Sequence, residues 1–92
     1  MSYIVAFYDI SDNSRRFIAA EKLRGLGFQR IQRSVYMARG DTNLAKEAFR
    51  ALLRVIDRST DSIAVMVIPR EYMKKAMFFS QIELGEEQLE VI

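Results

Sequence analysis

Tyr3-Ile4-Val5-Ala6-Phe7-Tyr8-Asp9 is an apolar run closed by a carboxylate, and its reading decides the fold. It reads as a strand from roughly Tyr3 to Asp9. Ile4 and Ala6 project to one face while Tyr3, Val5 and Phe7 project to the other. A strand apolar on both sides is covered on both sides. Ile10-Ser11-Asp12-Asn13-Ser14 follows as the entry to a helix, with Ser11 or Asp12 as N-cap candidates. A carboxylate at the end of a buried strand is costly unless compensated. For Asp9 three compensations are open: capping the helix, an ion pair with Arg15 or Arg16, or a metal or catalytic role.

Outward from that run, Ala19, Ala20, Leu23 and Leu26 share one helical face, and Gly25 and Gly27 mark its exit. Phe28 to Arg39 is extended, either one bent strand or two joined at Arg33-Ser34. Gly40-Asp41-Thr42-Asn43 is loop and cap. A second helix then runs to about Ile56, with Ala45, Phe49, Leu52 and Ile56 as its expected buried stripe. Ser62 to Ile68 is a second strong strand ended by Pro69. Arg70 to Lys75 suits a short turn or helix. Met77–Leu84 and Leu89–Ile92 are strand-like, separated by Gly85-Glu86-Glu87.

Strand, helix, one or two strands, helix, strand suits an α+β sandwich of ferredoxin-like βαββαβ type, with both helices on one face of an antiparallel sheet. Residues 1–92 read as a single domain. In the strand at 62–68, Ala64, Met66 and Ile68 oppose Ile63, Val65 and Val67, so it too is apolar on both faces. The face away from the helices therefore needs cover. A second copy of the chain is the expected source, which makes the protein a homodimer.

The 92 residues contain no cysteine and no histidine. Thiolate chemistry, zinc–thiolate sites and the commonest general base are excluded. Catalysis would rest on carboxylates, hydroxyls, Lys/Arg or a hard cation such as Mg2+ or Mn2+. Net charge is +2, but residues 15–58 hold eleven basic and four acidic side chains, a local +7, and ten of the fourteen cations are arginine. Arginine's fork suits phosphate oxygens, so a polyanion partner is expected. No apolar stretch approaches the ~18 residues of a membrane span. The N-terminus lacks the pattern of a signal peptide. No membrane partner and a cytoplasmic location are expected.

One carboxylate is thin equipment for phosphodiester cleavage. Two copies of Asp9 across a dimer axis would be a different matter. At ~5 Å they would repel by about 3 kcal/mol at an effective dielectric of 20, and would share a proton or bind a divalent cation. Arg15, Arg16, Arg30 and Arg33 are the candidate phosphate contacts, Arg16 lying in the first helical turn where free N–H groups also favour anions. Tyr8 and Tyr36 are candidates to orient ligands or stack on bases, or else form a buried rim.

Tyr8-Asp9-Ile10-Ser11-Asp12, followed after the first helix by Arg30-Ile31-Gln32-Arg33-Ser34-Val35-Tyr36, resembles CRISPR-associated protein 2, the small subunit of CRISPR adaptation, over nearly the whole chain. The resemblance implies a ferredoxin-like homodimer whose C-terminal segment, about 77–92, packs on the partner subunit. It implies a Mg2+ or Mn2+ site built from Asp9 of both subunits, with Tyr8 and Asp9 catalytic. It assigns Arg16, Arg30 and Tyr36 supporting or nucleic-acid-contacting roles. Members are described as magnesium-dependent endonucleases acting on single-stranded RNA or double-stranded DNA. Others are a non-catalytic DNA scaffold bridging the integrase subunit, CRISPR-associated protein 1. The departures are Ile18, where similar proteins often carry a basic residue, and the milder Arg33 and Tyr36. Two further readings stand behind these: a ferredoxin-like regulatory domain, and the virulence-associated D ribonucleases, which are similar in fold. Nothing in the pattern separates RNA from DNA as substrate.

Overall fold

In the computed structural model, which describes residues 1–79, the apolar run is β1 (Ser2–Asp9) and lies inside a four-stranded sheet. It is followed by α1 (Asn13–Gly25), β2 (Gln29–Gln32), β3 (Val35–Gly40), α2 (Thr42–Leu53), β4 (Ser62–Pro69) and a single turn, α3 (Arg70–Met73). The sheet order is β2-β3-β1-β4, and every neighbouring pair is antiparallel. This is the expected α+β arrangement. The strand-like pieces expected from Met77 lie outside the described residues beyond 79, and 77–79 are not in a strand.

The open question at Phe28–Arg39 resolves as two strands joined at Arg33-Ser34. Tight hairpins favour Asn-Gly or Gly-X at the turn, which is why Arg-Ser gave no signal. The β2–β3 register shifts between Arg30 and Gln32. An extra residue there bends the strand, and Ile31 is buried among Tyr3, Val5 and Met37.

Capping follows the sequence closely. The Asp12 carboxylate accepts from the Arg15 N–H at 2.9 Å, so Asp12 and not Asp9 starts α1. At the other end Gly27 has φ +92°. The Gly27 N–H donates to Arg24 O and the Phe28 N–H to Leu23 O, each at 3.0 Å, which satisfies carbonyls the helix leaves free.

The core lies on both faces of the sheet. On the helix side Ile4, Ala6, Tyr8 and Tyr36 pack with Leu23, Ala48 and Leu52. The α2 stripe is built on Ala45, Ala48 and Leu52 rather than on Phe49, which is 41% exposed. On the far side Tyr3, Val5, Ile31 and Met37 lie under Met73, with Ala76 and Phe78 packed against them. The cover expected from a second copy is thus supplied in part by the chain itself. Pro69 ends β4, α3 turns back across the sheet, and Met73 fills the gap.

The strongest polar junction joins two loops at the C-terminal end of β1. The Asp61 side chain is shut off from water. It accepts from the Asp57 N–H (2.9 Å), the Ser11 N–H (3.1 Å), the Thr60 hydroxyl (3.0 Å) and Arg15 Nε (3.1 Å). Arg15 Nη2 completes the fork at 3.1 Å. Led by the Asp57 N–H, these donors hold the carboxyl well below the usual carboxylate range against the opposing effect of burial. Because the folded-state value is depressed, this stabilisation is complete above pH ~4 and fades as pH falls further. Asp61→Asn should lower Tm at pH 7 by roughly 5–15 °C, since its amide cannot serve all those donors. By thermal denaturation across pH, the gap from the wild-type chain should shrink below pH ~4.

Candidate nucleic-acid cleft

β1 delivers Tyr8 and Asp9 to one end of the sheet. The Tyr8 ring faces inward and stacks on Tyr36, with centroids 6.0 Å apart and planes at 25°. The Tyr8 N–H donates to Ser34 O at 3.2 Å, tying the end of β1 to the β2–β3 turn. Burial first, and then the Tyr36 hydroxyl, push the Tyr8 phenol above its ordinary value of 10.0. It is therefore protonated at neutral pH and can act as a hydrogen-bond donor, not as a base.

Asp9, opposite Ser62 on β4, is exposed. No burial cost has to be compensated within one protomer, contrary to what the run suggested. Its carboxylate makes no ion pair among the described residues, and the capping position belongs to Asp12. Both structural explanations of Asp9 are thereby removed.

A cleft of about 570 Å³ opens beside it. Its lining includes Tyr8, Asp9 and Tyr36 together with Arg16, Arg24, Arg30 and Arg33. Four guanidiniums against one carboxylate give the cleft a formal +3. Arg16 is positioned by its Nη1, which donates to Ile10 O at 2.6 Å. Arg30 Nε donates to Gln32 O at 3.4 Å, and Arg24 pairs with Glu21 at 3.1 Å in an exposed bridge. Arg33 makes no ion pair among the described residues. Such an array suits phosphate oxygens.

Of the residues singled out from sequence, Tyr8, Asp9, Arg16, Arg30, Arg33 and Tyr36 converge on this cleft. Arg15 does not; its guanidinium is committed to Asp61. Phe17 and Arg24 were missed. The signal was present, because residues seven apart on a helix lie nearly above one another, and Ala20 sits between them on the same wall. Among the described residues no group of three or more acidic, His or Cys side chains gathers as a metal site, and Asp9 is the one carboxylate in the lining of this cleft. No helix among them is long and apolar enough to cross a membrane.

Residues 1–76 match the family model described as CRISPR associated protein Cas2. The chain is 51% identical over 76 residues to the CRISPR-associated endoribonuclease Cas2 of Aeropyrum pernix, covering 83% of each protein. It is 35% identical over 68 residues to the CRISPR-associated endonuclease Cas1/endonuclease Cas2 fusion of Thermoproteus tenax, covering 74% of this chain and 26% of the fusion. Among solved structures, Streptococcus pyogenes Cas2 shares the fold at a TM-score of 0.68 and 19% identity, with 84% of this chain and 98% of that one aligned. Thermus thermophilus protein TT1823 aligns at a TM-score of 0.60 and 29% identity, over 74% of this chain and 79% of that one.

In a spectrophotometric alkaline titration Tyr8, read as the difference from Tyr8→Phe, should ionise above the ordinary value of 10.0. The stability it contributes is full below pH ~10 and lost as pH rises beyond it. Tyr36→Phe should reduce the elevation without abolishing it, because burial is the larger cause.

Proposed function

The chain belongs to the CRISPR-associated Cas2 family, and on that premise we propose that it works in CRISPR adaptation as a metal-dependent endonuclease on RNA or DNA phosphodiesters. The observation that carries this reading is one unpaired carboxylate, Asp9, set among four arginines at the end of β1. The Aeropyrum pernix relative bears the name endoribonuclease, which supports the same chemistry here.

The donor set fits a hard cation provided two copies meet. Mg2+ keeps several waters and is commonly held by one or two carboxylates, and Asp9 from each protomer of a homodimer would supply them. A cation bound there offsets phosphate charge and acidifies water. The chain's own residues do the rest. Arg16, Arg30 and Arg33 hold the phosphodiester and neutralise the charge that grows in the transition state. The protonated Tyr8 donates a hydrogen bond at the cleft wall, and Tyr36 fixes its ring.

A second reading keeps the binding and drops the cleavage: a scaffold that presents DNA to the Cas1 integrase. Two observations favour it. A single protomer brings only one carboxylate, and the Thermoproteus tenax relative carries Cas1 and Cas2 in one chain.

Asp9→Ala separates the two. The nuclease reading expects magnesium-dependent cleavage to fall at least about 100-fold, the upper end of the cost of losing even an outer-sphere partner of a metal. Nucleic-acid binding should persist. Undiminished cleavage by purified Asp9→Ala protein would exclude Asp9 from the chemistry. Arg33→Ala should reduce the slope of log affinity against log salt by about 0.7–0.9. Arg15→Ala should leave that slope unchanged and lower Tm instead, as equilibrium binding and calorimetry would report.

A further inference from the structure

Phe17 is an anomaly in the cleft. It is 65% exposed, on the first turns of α1, in a lining that also carries four arginines. The other two aromatic residues there are unavailable to a ligand's flat face, since Tyr8 and Tyr36 stack on each other and are 8% and 1% exposed. Of the aromatic residues lining the cleft, Phe17 alone presents its ring to solvent. Arg16 precedes it in sequence, and Arg24 lies two turns further along the same wall, about 10 Å by the helix rise.

Resting on the nucleic-acid reading above, we propose that Phe17 is a stacking platform for one unpaired base of a single-stranded segment whose phosphates lie on Arg16, Arg24 and Arg30. The occupant follows from the surroundings. An apolar protein partner would meet four guanidiniums around one ring. A nucleotide satisfies both at once, with its base on the ring and its phosphates on the forks. A fully paired duplex keeps its bases stacked inside and offers Phe17 nothing. The platform therefore sets a preference for unpaired strands, as at a frayed end, without reading their sequence.

The test is equilibrium binding in EDTA, so that cleavage plays no part. The probes are a short single-stranded DNA, the same strand with abasic sites in place of its bases, and the blunt duplex. Phe17→Ala should weaken single-strand binding about 5- to 100-fold, leave the salt slope unaltered and leave duplex affinity as it was. Phe17→Trp should restore or exceed the original affinity. On the abasic strand, the wild-type chain and Phe17→Ala should bind equally. Ala at this exposed helical position favours the helix, so Tm should not fall. Equal single-strand affinity of wild type and Phe17→Ala would overturn the platform while leaving the phosphate cleft standing. So would a Phe17→Ala variant whose oligomeric state changes with no loss specific to unpaired bases. Absence of salt-dependent binding of any probe by the wild-type chain would overturn both this proposal and the reading it rests on.

Discussion

The carboxylate of Asp61 is the constraint on which the working end of this molecule depends. It is sealed from water and engages donors from the β1–α1 loop and from the loop before β4. Burying a charge is unfavourable unless its lone pairs are all engaged and a counter-charge is near. Here Arg15 supplies the counter-charge, and backbone N–H groups with the Ser11 and Thr60 hydroxyls supply the rest. Ser11 is fixed by this junction two residues after Asp9, and Arg15 one residue before Arg16. The geometry of the cleft is thus set by a carboxylate that does not touch it.

The second determinant is the position of β1 between β3 and β4. An inner strand exposes neither edge, so its side chains face packed layers until the sheet stops. Tyr8 is the last buried residue of the strand, and Asp9 is its one exposed residue. The antiparallel return through the Arg33-Ser34 turn brings two arginines back to that same end, and α1 brings Arg16 and Arg24 from the helical layer. Cations from three elements gather where the strand presents its acid. Among the described residues no carboxylate pairs with Arg33, so the mutual repulsion of these cations is left for an external anion to relieve under the proposed function.

Much of this was legible in the sequence. The alternation in β1 announced a strand with two covered faces, and capping chemistry placed both helices; β4, apolar in the same way, has no buried residue, and its Met66 and Val67 are exposed. Asp9, Tyr8 and three of the four phosphate-contact candidates were drawn to one site by residue type and position alone. The failures have definite physical causes. Arg15 looked like Arg16, because adjacent residues on a helix differ only in facing, and facing was decided by Asp61, a residue 46 positions away. Asp61 itself carries no local signal; its role exists only once two loops meet. Phe49 seemed a core residue by spacing, yet the alanines of α2 allow the helix to lie close to the sheet on a face one position away. The far-side cover was assigned to a partner because the short turn or helix expected at Arg70 to Lys75 carried no sign that Met73 would pack on that face of the sheet.

Joining these layers is the claim that Asp9 is a half-site, completed only when a second copy brings its own carboxylate. Manganese binding measured calorimetrically, with the oligomeric state determined on the same sample, tests that claim most directly. A shared site binds one ion per two chains, on a dimer, and loses that binding in Asp9→Ala although the dimer persists. One ion per chain, or binding unaffected by that substitution, would contradict it.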